Sequence, residues 1–166
     1  MINRTWVGSE INKFPMFSFS KKKEFFTCEE NDRVVAAIRS CENRTSGEIR
    51  VYVESKNLYV EPLDRAAELF TGLKMHLTHH RNAVLLYIAV KHKEVALFGD
   101  EGIHQKVGSE FWNEEVNHML SYFRDNKLAD GIEHCVRHVG DVLSEKFPYI
   151  PTEDKNELPD EIVFGK

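Results

Sequence analysis

Apolar and polar positions along the 166-residue chain fall into blocks of two periods. Thr27 and Glu30 stand in capping-box register, so each can satisfy an open amide at a helix start. Val34, Ile38 and Cys41 follow at helical spacing and predict a first helix that ends before Gly47. From Glu48 to Glu54 the period drops to two. Ile49, Val51 and Val53 face one way, and Glu48, Arg50, Tyr52 and Glu54 the other. That alternation predicts a half-buried strand near a sheet edge. A second helix is expected with Pro62 in its first turn and Leu63, Ala66, Phe70, Leu73 and Leu77 as its apolar stripe. The run 83–90 is apolar on both faces, as a central strand covered on both sides is. Lys91-His92-Lys93 reads as a tight turn, and 94–98 as an antiparallel return strand. Gly99-Asp100-Glu101-Gly102 breaks that strand. Ser109 is the expected N-cap of a third helix carrying Phe111, Trp112, Val116, Met119, Leu120 and Phe123. Asp125 and Asn126 read as caps between it and a fourth helix with Leu128, Ile132, Cys135, Val136, Val139 and Leu143, which Pro148 stops.

Strand–helix–strand between Glu48 and Val90 implies a right-handed crossover and parallel pairing. The expected fold class is α/β: one domain with a small mixed β-sheet sandwiched between helices. Residues 1–23 show no clean period and read as a poorly ordered arm, with Met16 as an alternative start. The domain proper spans 24–148. Residues 149–166 carry acidic side chains with little apolar pattern and read as a mobile tail.

Charge narrows the function classes. There are 22 basic and 27 acidic residues, a net charge of −5, which disfavours nucleic acid and anionic membrane as partners. The basic run Lys21-Lys22-Lys23 reads as a solvated helix approach. Cys28, Cys41 and Cys135 form no CxxC pair, as suits reduced cytoplasmic thiols. No secretory signal and no apolar run of membrane-spanning length is visible, so a cytoplasmic protein without membrane insertion is expected.

Topology then gathers chemistry. The starts of two parallel strands and the end of the return strand lie at one sheet edge. Three loops therefore meet there, and they bring Glu48, Asn82, Asp100 and Glu101 within reach of one another. Oxygen ligands on glycine-flanked loops suit a hard cation, Ca²⁺ or Mg²⁺. No nucleophile motif accompanies them: there is no Gly-x-Ser-x-Gly and no phosphate-binding glycine loop. His134 and His138 have the i, i+4 spacing of a helical zinc pair. They lack the intervening glutamate and fall opposite the apolar face, so they read as solvated. His76, His79 and His80 read as C-terminal caps of the second helix. Tyr87 and Trp112 read as core.

The succession 45–51 (Thr-Ser-Gly-Glu-Ile-Arg-Val), Asp64-Arg65-Ala66, 82–86, Gly99-Asp100-Glu101-Gly102-Ile103 and Ala129-Asp130-Gly131-Ile132 resembles the TPM-domain family over about residues 24 to 148. The resemblance implies an α/β/α sandwich, divalent-cation binding and, for some members, weak phosphatase activity. It makes Gly99–Gly102 the counterpart of the family's glycine turn and Glu48 that of the acidic residue opening the first strand. Asp130 corresponds to the acidic residue at the start of the last helix. Two positions depart from the family pattern: two residues separate Gly99 from Gly102 where one is usual, and Ala83 follows Asn82 where glycine is usual. The absence of an anchor suggests a short soluble bacterial branch. The expected metal ligands are thus Asp100, Glu101, Glu48, Asp130 and Asn82. The alternatives to a cation-binding domain are a weak metal-dependent phosphatase, with Arg50 and Arg81 the only nearby cations, and a protein-interaction module docking through the acidic tail.

Overall fold

The computed structural model describes residues 25–58, 61–152 and 154–165. The arm at 1–23, its lysine run and Met16 lie outside them. Four helices and a four-stranded mixed sheet make up one α/β domain. In chain order they are α1 (Cys28–Glu42), β1 (Ile49–Glu54), α2 (Pro62–Gly72), β2 (Val84–Ala89), β3 (Glu94–Gly99), α3 (Glu101–Arg124), α4 (Leu128–Lys146) and β4 (Val163–Phe164). A 3-10 turn, Met75–Leu77, follows α2.

The strand order is β3-β2-β1-β4, with β1–β2 parallel and β2–β3 antiparallel. Period two sorts the strand side chains between two cores. Val51, Val53, Val84, Leu86, Ile88, Val95 and Leu97 face α1, α3 and α4. Leu85, Tyr87, Ala89 and Ala96 face α2 with Ala66 and Phe70. The capping box at Thr27 and Glu30 forms as expected.

Four expectations change. Strand β1 is interior rather than near an edge, because β4 pairs with it in parallel, Tyr52 opposite Val163. Its polar face is covered: Glu54 accepts two bonds of 3.1 Å from Arg65 on α2 and one of 2.6 Å from Tyr87 Oη. The segment read as a mobile tail supplies β4 and buries Ile162. Its short apolar stretch, Ile162 to Phe164, is enough to dock because β1 offers an open ladder. Helix α2 stops at Gly72, so Leu77 is exposed and His76, His79 and His80 lie beyond the helix they were read as capping. Helix α3 begins at Glu101 with Asp100 as its N-cap. Ser109 instead follows a break at Gly108, whose φ of 73° is a left-handed conformation that glycine adopts at little cost.

Candidate functional site

The three loops meet as the topology required. Val84 N donates to Glu48 O over 2.8 Å, Asp100 N to Ala83 O over 2.9 Å, and Gly102 N to Arg81 O over 2.8 Å. The carboxylates on those loops do not all share one place.

Asp100 is buried and committed. Its two oxygens accept from Arg81 Nε at 2.7 Å and Nη2 at 2.8 Å, and Oδ1 also accepts from Glu101 N at 2.8 Å. The acid serves as a helix cap held by a guanidinium fork. Glu101 is exposed in the first turn of α3 and accepts from Gln105. Gly102 allows close backbone approach: a methyl group there would lie 2.4 Å from His80 O. Asp130 sits on a different surface, where it pairs with Arg33 of α1 at 2.8 Å.

Glu48 and Asn82 belong to another assembly. Glu48 is buried at the start of β1; its Oε1 accepts from Glu157 N at 2.8 Å, and its Oε2 has no donor among the described residues. Asn82 is fully buried; its amide donates to Ser46 Oγ at 3.3 Å, and its Oδ1 likewise lacks a donor. Glu48 and Ser46 line a cleft of about 260 Å³ together with Glu42, Asp154, Asp160, Arg39 and Lys155. Glu42, at the last turn of α1, turns Oε1 to the amide of Ile49 at 3.1 Å and keeps a buried Oε2 that has no donor among the described residues. Asp160 is held by Arg39 at 3.1 Å and Asn156 at 2.7 Å.

Electrostatics follow from this crowding. Burial pushes Glu42 up to about 9, helped by its hydrogen bond to Asp160 and the charge of Glu48. Burial also raises Glu48 to about 7, against the pull of the Glu157 and Leu158 amides. At Asp160 burial works against ionisation, but hydrogen bonds from Glu42, Asn156 and Arg39 outweigh it and hold the carboxyl below its ordinary value. Arg50, on the same face of β1 as Glu48, is buried; that burial weakens its charge while Glu42, Glu48 and Glu161 sustain it.

Among the described residues no three His, Cys, Asp or Glu side chains stand as a ready-made metal-ligand set. The cleft is instead lined by the carboxyl oxygens of Glu42, Glu48, Asp154 and Asp160. Glu42 and Asp160 were not singled out in the sequence. Glu42 lies in a helix tail, and Asp160 reaches the cleft only because the C-terminal segment folds back.

Fold and cleft together define a small α/β domain with buried carboxylates at the strand-start edge of its sheet. The chain belongs to the TPM domain family, whose model matches residues 20–142. It is similar to the BA42 protein of the psychrophilic bacterium Bizionia argentinensis, with 38% identity, 89% of this chain and 100% of that chain covered, and a TM-score of 0.79. The N-terminal domain of the cg2496 protein of Corynebacterium glutamicum shares the fold at 12% identity, with 77% and 88% covered and a TM-score of 0.58. No curated protein matches. No helix among the described residues is long and apolar enough to cross a membrane.

Proposed function

We propose that this TPM domain binds a divalent cation, Ca²⁺ or Mg²⁺, in the cleft between α1, β1 and the folded-back C-terminal segment. Glu48 and Glu42 are the anionic ligands, with Asn82 and Asp160 beside them. One observation carries the reading: both glutamates line the same cleft, and each keeps a buried oxygen with no donor among the described residues. A buried acceptor without a partner costs about 1–3 kcal/mol. A hard cation removes that cost and displaces the proton. Asp100, Glu101 and Asp130 take no part in this reading, since Asp100 and Asp130 are held by arginines and Glu101 faces solvent.

The test is thermal. Protein stripped with EDTA is titrated with Ca²⁺ and with Mg²⁺ while its melting temperature is followed. A ligand that binds only the folded state adds about 2.7 kcal/mol at a hundredfold excess over its dissociation constant. The expected result is a saturable rise that Glu48→Gln loses and Asp100→Asn keeps. A rise that Asp100→Asn loses and Glu48→Gln keeps would return the site to the glycine turn; no rise with either ion sinks the proposal.

A second reading has one observation in its favour. Arg39 and Lys155 line the cleft beside the carboxylates, and a phosphoryl oxygen polarised by the cation would meet them there. Arg81, the other cation expected to help, is committed to Asp100. The same Glu48→Gln protein decides this reading: phosphate release that persists in it does not come from the cleft. The other alternative, docking through the acidic C-terminal segment, has no observation in its favour here; residues 163–164 of that segment pair with β1.

A further inference from the structure

The cleft between α1, β1 and the C-terminal segment has features that a bare ion leaves unused. Its volume of about 260 Å³ is roughly nine times the share of one water molecule in the liquid. Tyr149 stands on its lining and is 43% exposed, and Ile150, next in the chain, is 40% exposed. Among the described residues only Leu58 and Leu77 are large apolar side chains left more open to water, so an apolar wall here is not a general feature of the surface.

The interior of the cleft offers acceptors without matching donors. Glu48 is 3% exposed, and its Oε2, like that of Glu42, has no donor among the described residues. Of the two cations on the lining, Arg39 is bound to Asp160 at 3.1 Å and Lys155 is exposed. A group of acids on a protein surface is ordinary. A buried carboxylate oxygen with nothing to accept from is not, because desolvation without a partner is costly.

We propose that the cleft binds a primary alkylammonium ion, its head against Glu42 and Glu48 and its stem along Tyr149. The inference goes beyond the divalent-cation reading and does not rest on it. An ammonium head carries three donors and no acceptor, and hydrogen bonds between opposite charges are the strong kind. Each donor points its own way, so the acceptors need not be gathered about one point as the ligands of a metal are. A guanidinium is a planar fork matched by the two oxygens of one carboxylate. The open oxygens here belong to two different glutamates, which favours the compact head. An alkyl stem would remove apolar surface of Tyr149 from water, and the face of its ring attracts a cation as well.

The experiment is an NMR titration of EDTA-treated protein, in amine-free buffer, with n-butylammonium chloride and with n-butyltrimethylammonium chloride at matched ionic strength. Butylammonium should shift the amides of Gly47, on the lining, and of Ile49 and Glu157, which are bonded to Glu42 and Glu48, along a saturable curve. The trimethylated salt has the same charge and stem but no N–H. It should bind more than about tenfold more weakly, the worth of one hydrogen bond to a charged group. Butylammonium should lose a similar factor on Glu48→Gln. Equal binding of the two salts reduces the effect to ionic attraction and overturns the proposal, as does absence of saturation or undiminished binding to Glu48→Gln. Should that variant fail to fold, the two salts on the parent protein decide. Titrations with Ca²⁺ and Mg²⁺ separate the two readings of the cleft. Butylammonium binding with no response to either ion supports this site and removes the metal reading. A response to either ion without butylammonium binding overturns this inference and leaves the metal reading standing.

Discussion

Two acidic regions share the strand-start edge of the sheet, and they are opposites. At the α3 start, Asp100 is buried but fully partnered, with Arg81 gripping both oxygens and an amide of its own helix added. At the β1 start, Glu48 is equally buried and half partnered; amides of the C-terminal segment hold one side, and Oε2 has no donor among the described residues. A carboxylate on a glycine-flanked loop looks like a ligand in sequence. Whether it can be one depends on what already holds it. A guanidinium fork satisfies an acid and removes it from competition for cations, whereas an acid facing other acids stays available.

The largest expected effect that separates the two regions is on pH dependence. In cation-free protein Glu48 titrates near 7 and Glu42 near 9, both above the 4.5 of an ordinary glutamate. Between 4.5 and those values the folded state holds protons that the unfolded state has released. Stability is therefore full below about pH 4.5 for these two groups and is lost as pH rises through 7 and then 9. Each unit between folded and unfolded values is worth about 1.4 kcal/mol, so the two full shifts sum to roughly 10 kcal/mol, an upper bound because part of the Glu42 shift is the charge of Glu48. Urea denaturation in EDTA at several pH values should show this decline. A Glu42→Gln/Glu48→Gln protein should not show it. A parent protein whose stability is flat across that range would mean that the cleft carboxyls are solvated after all.

The next effect is on the other region. Asp100→Ala removes the cap of α3 and releases Arg81, whose side chain is 48% exposed and returns readily to water. The loss should therefore be that of a cap, about 1–2 kcal/mol, seen as a lower urea midpoint with an unchanged slope. The cation response should be intact. A stability loss accompanied by loss of cation binding would show that the two regions are one site.

These contrasts explain which features were legible in the sequence. Period-two and helical patterns gave β1, β2, β3 and the helices because the sheet is covered on both faces and each apolar residue has one place to go. The crossover rule then brought the right loops together. Three things were out of reach. Partnering is one: nothing local marks Arg81 as the residue that claims Asp100, although the two are linked through the loop and helix start they occupy. Long-range return is another: Asp160 and Glu157 join the cleft only after more than a hundred residues, through a strand of two residues. The third is that helices were read singly. His138 looked unsupported on α4 because its carboxylate partner, Glu115, stands on α3. A helix period shows which residues share its own face, not what the neighbouring helix presents to it.

The smallest effect belongs to Asp130, which shares its acidic character and a family motif with the other candidates but neither of their environments. It pairs with Arg33 across α1 and α4 at 2.8 Å, with both side chains more than two-fifths exposed. Arg33 also reaches Glu133 at 3.5 Å, so the guanidinium keeps a second partner when the first is removed. Exposed pairs of this kind contribute about 0–1 kcal/mol and are screened by salt. Asp130→Asn should therefore shift the urea midpoint slightly at low ionic strength and not at all in high salt. Its Ca²⁺ and Mg²⁺ responses should match the parent. A clear loss of cation affinity in this variant would place a ligand on the α1–α4 surface and leave the cleft carboxyls as a purely structural group.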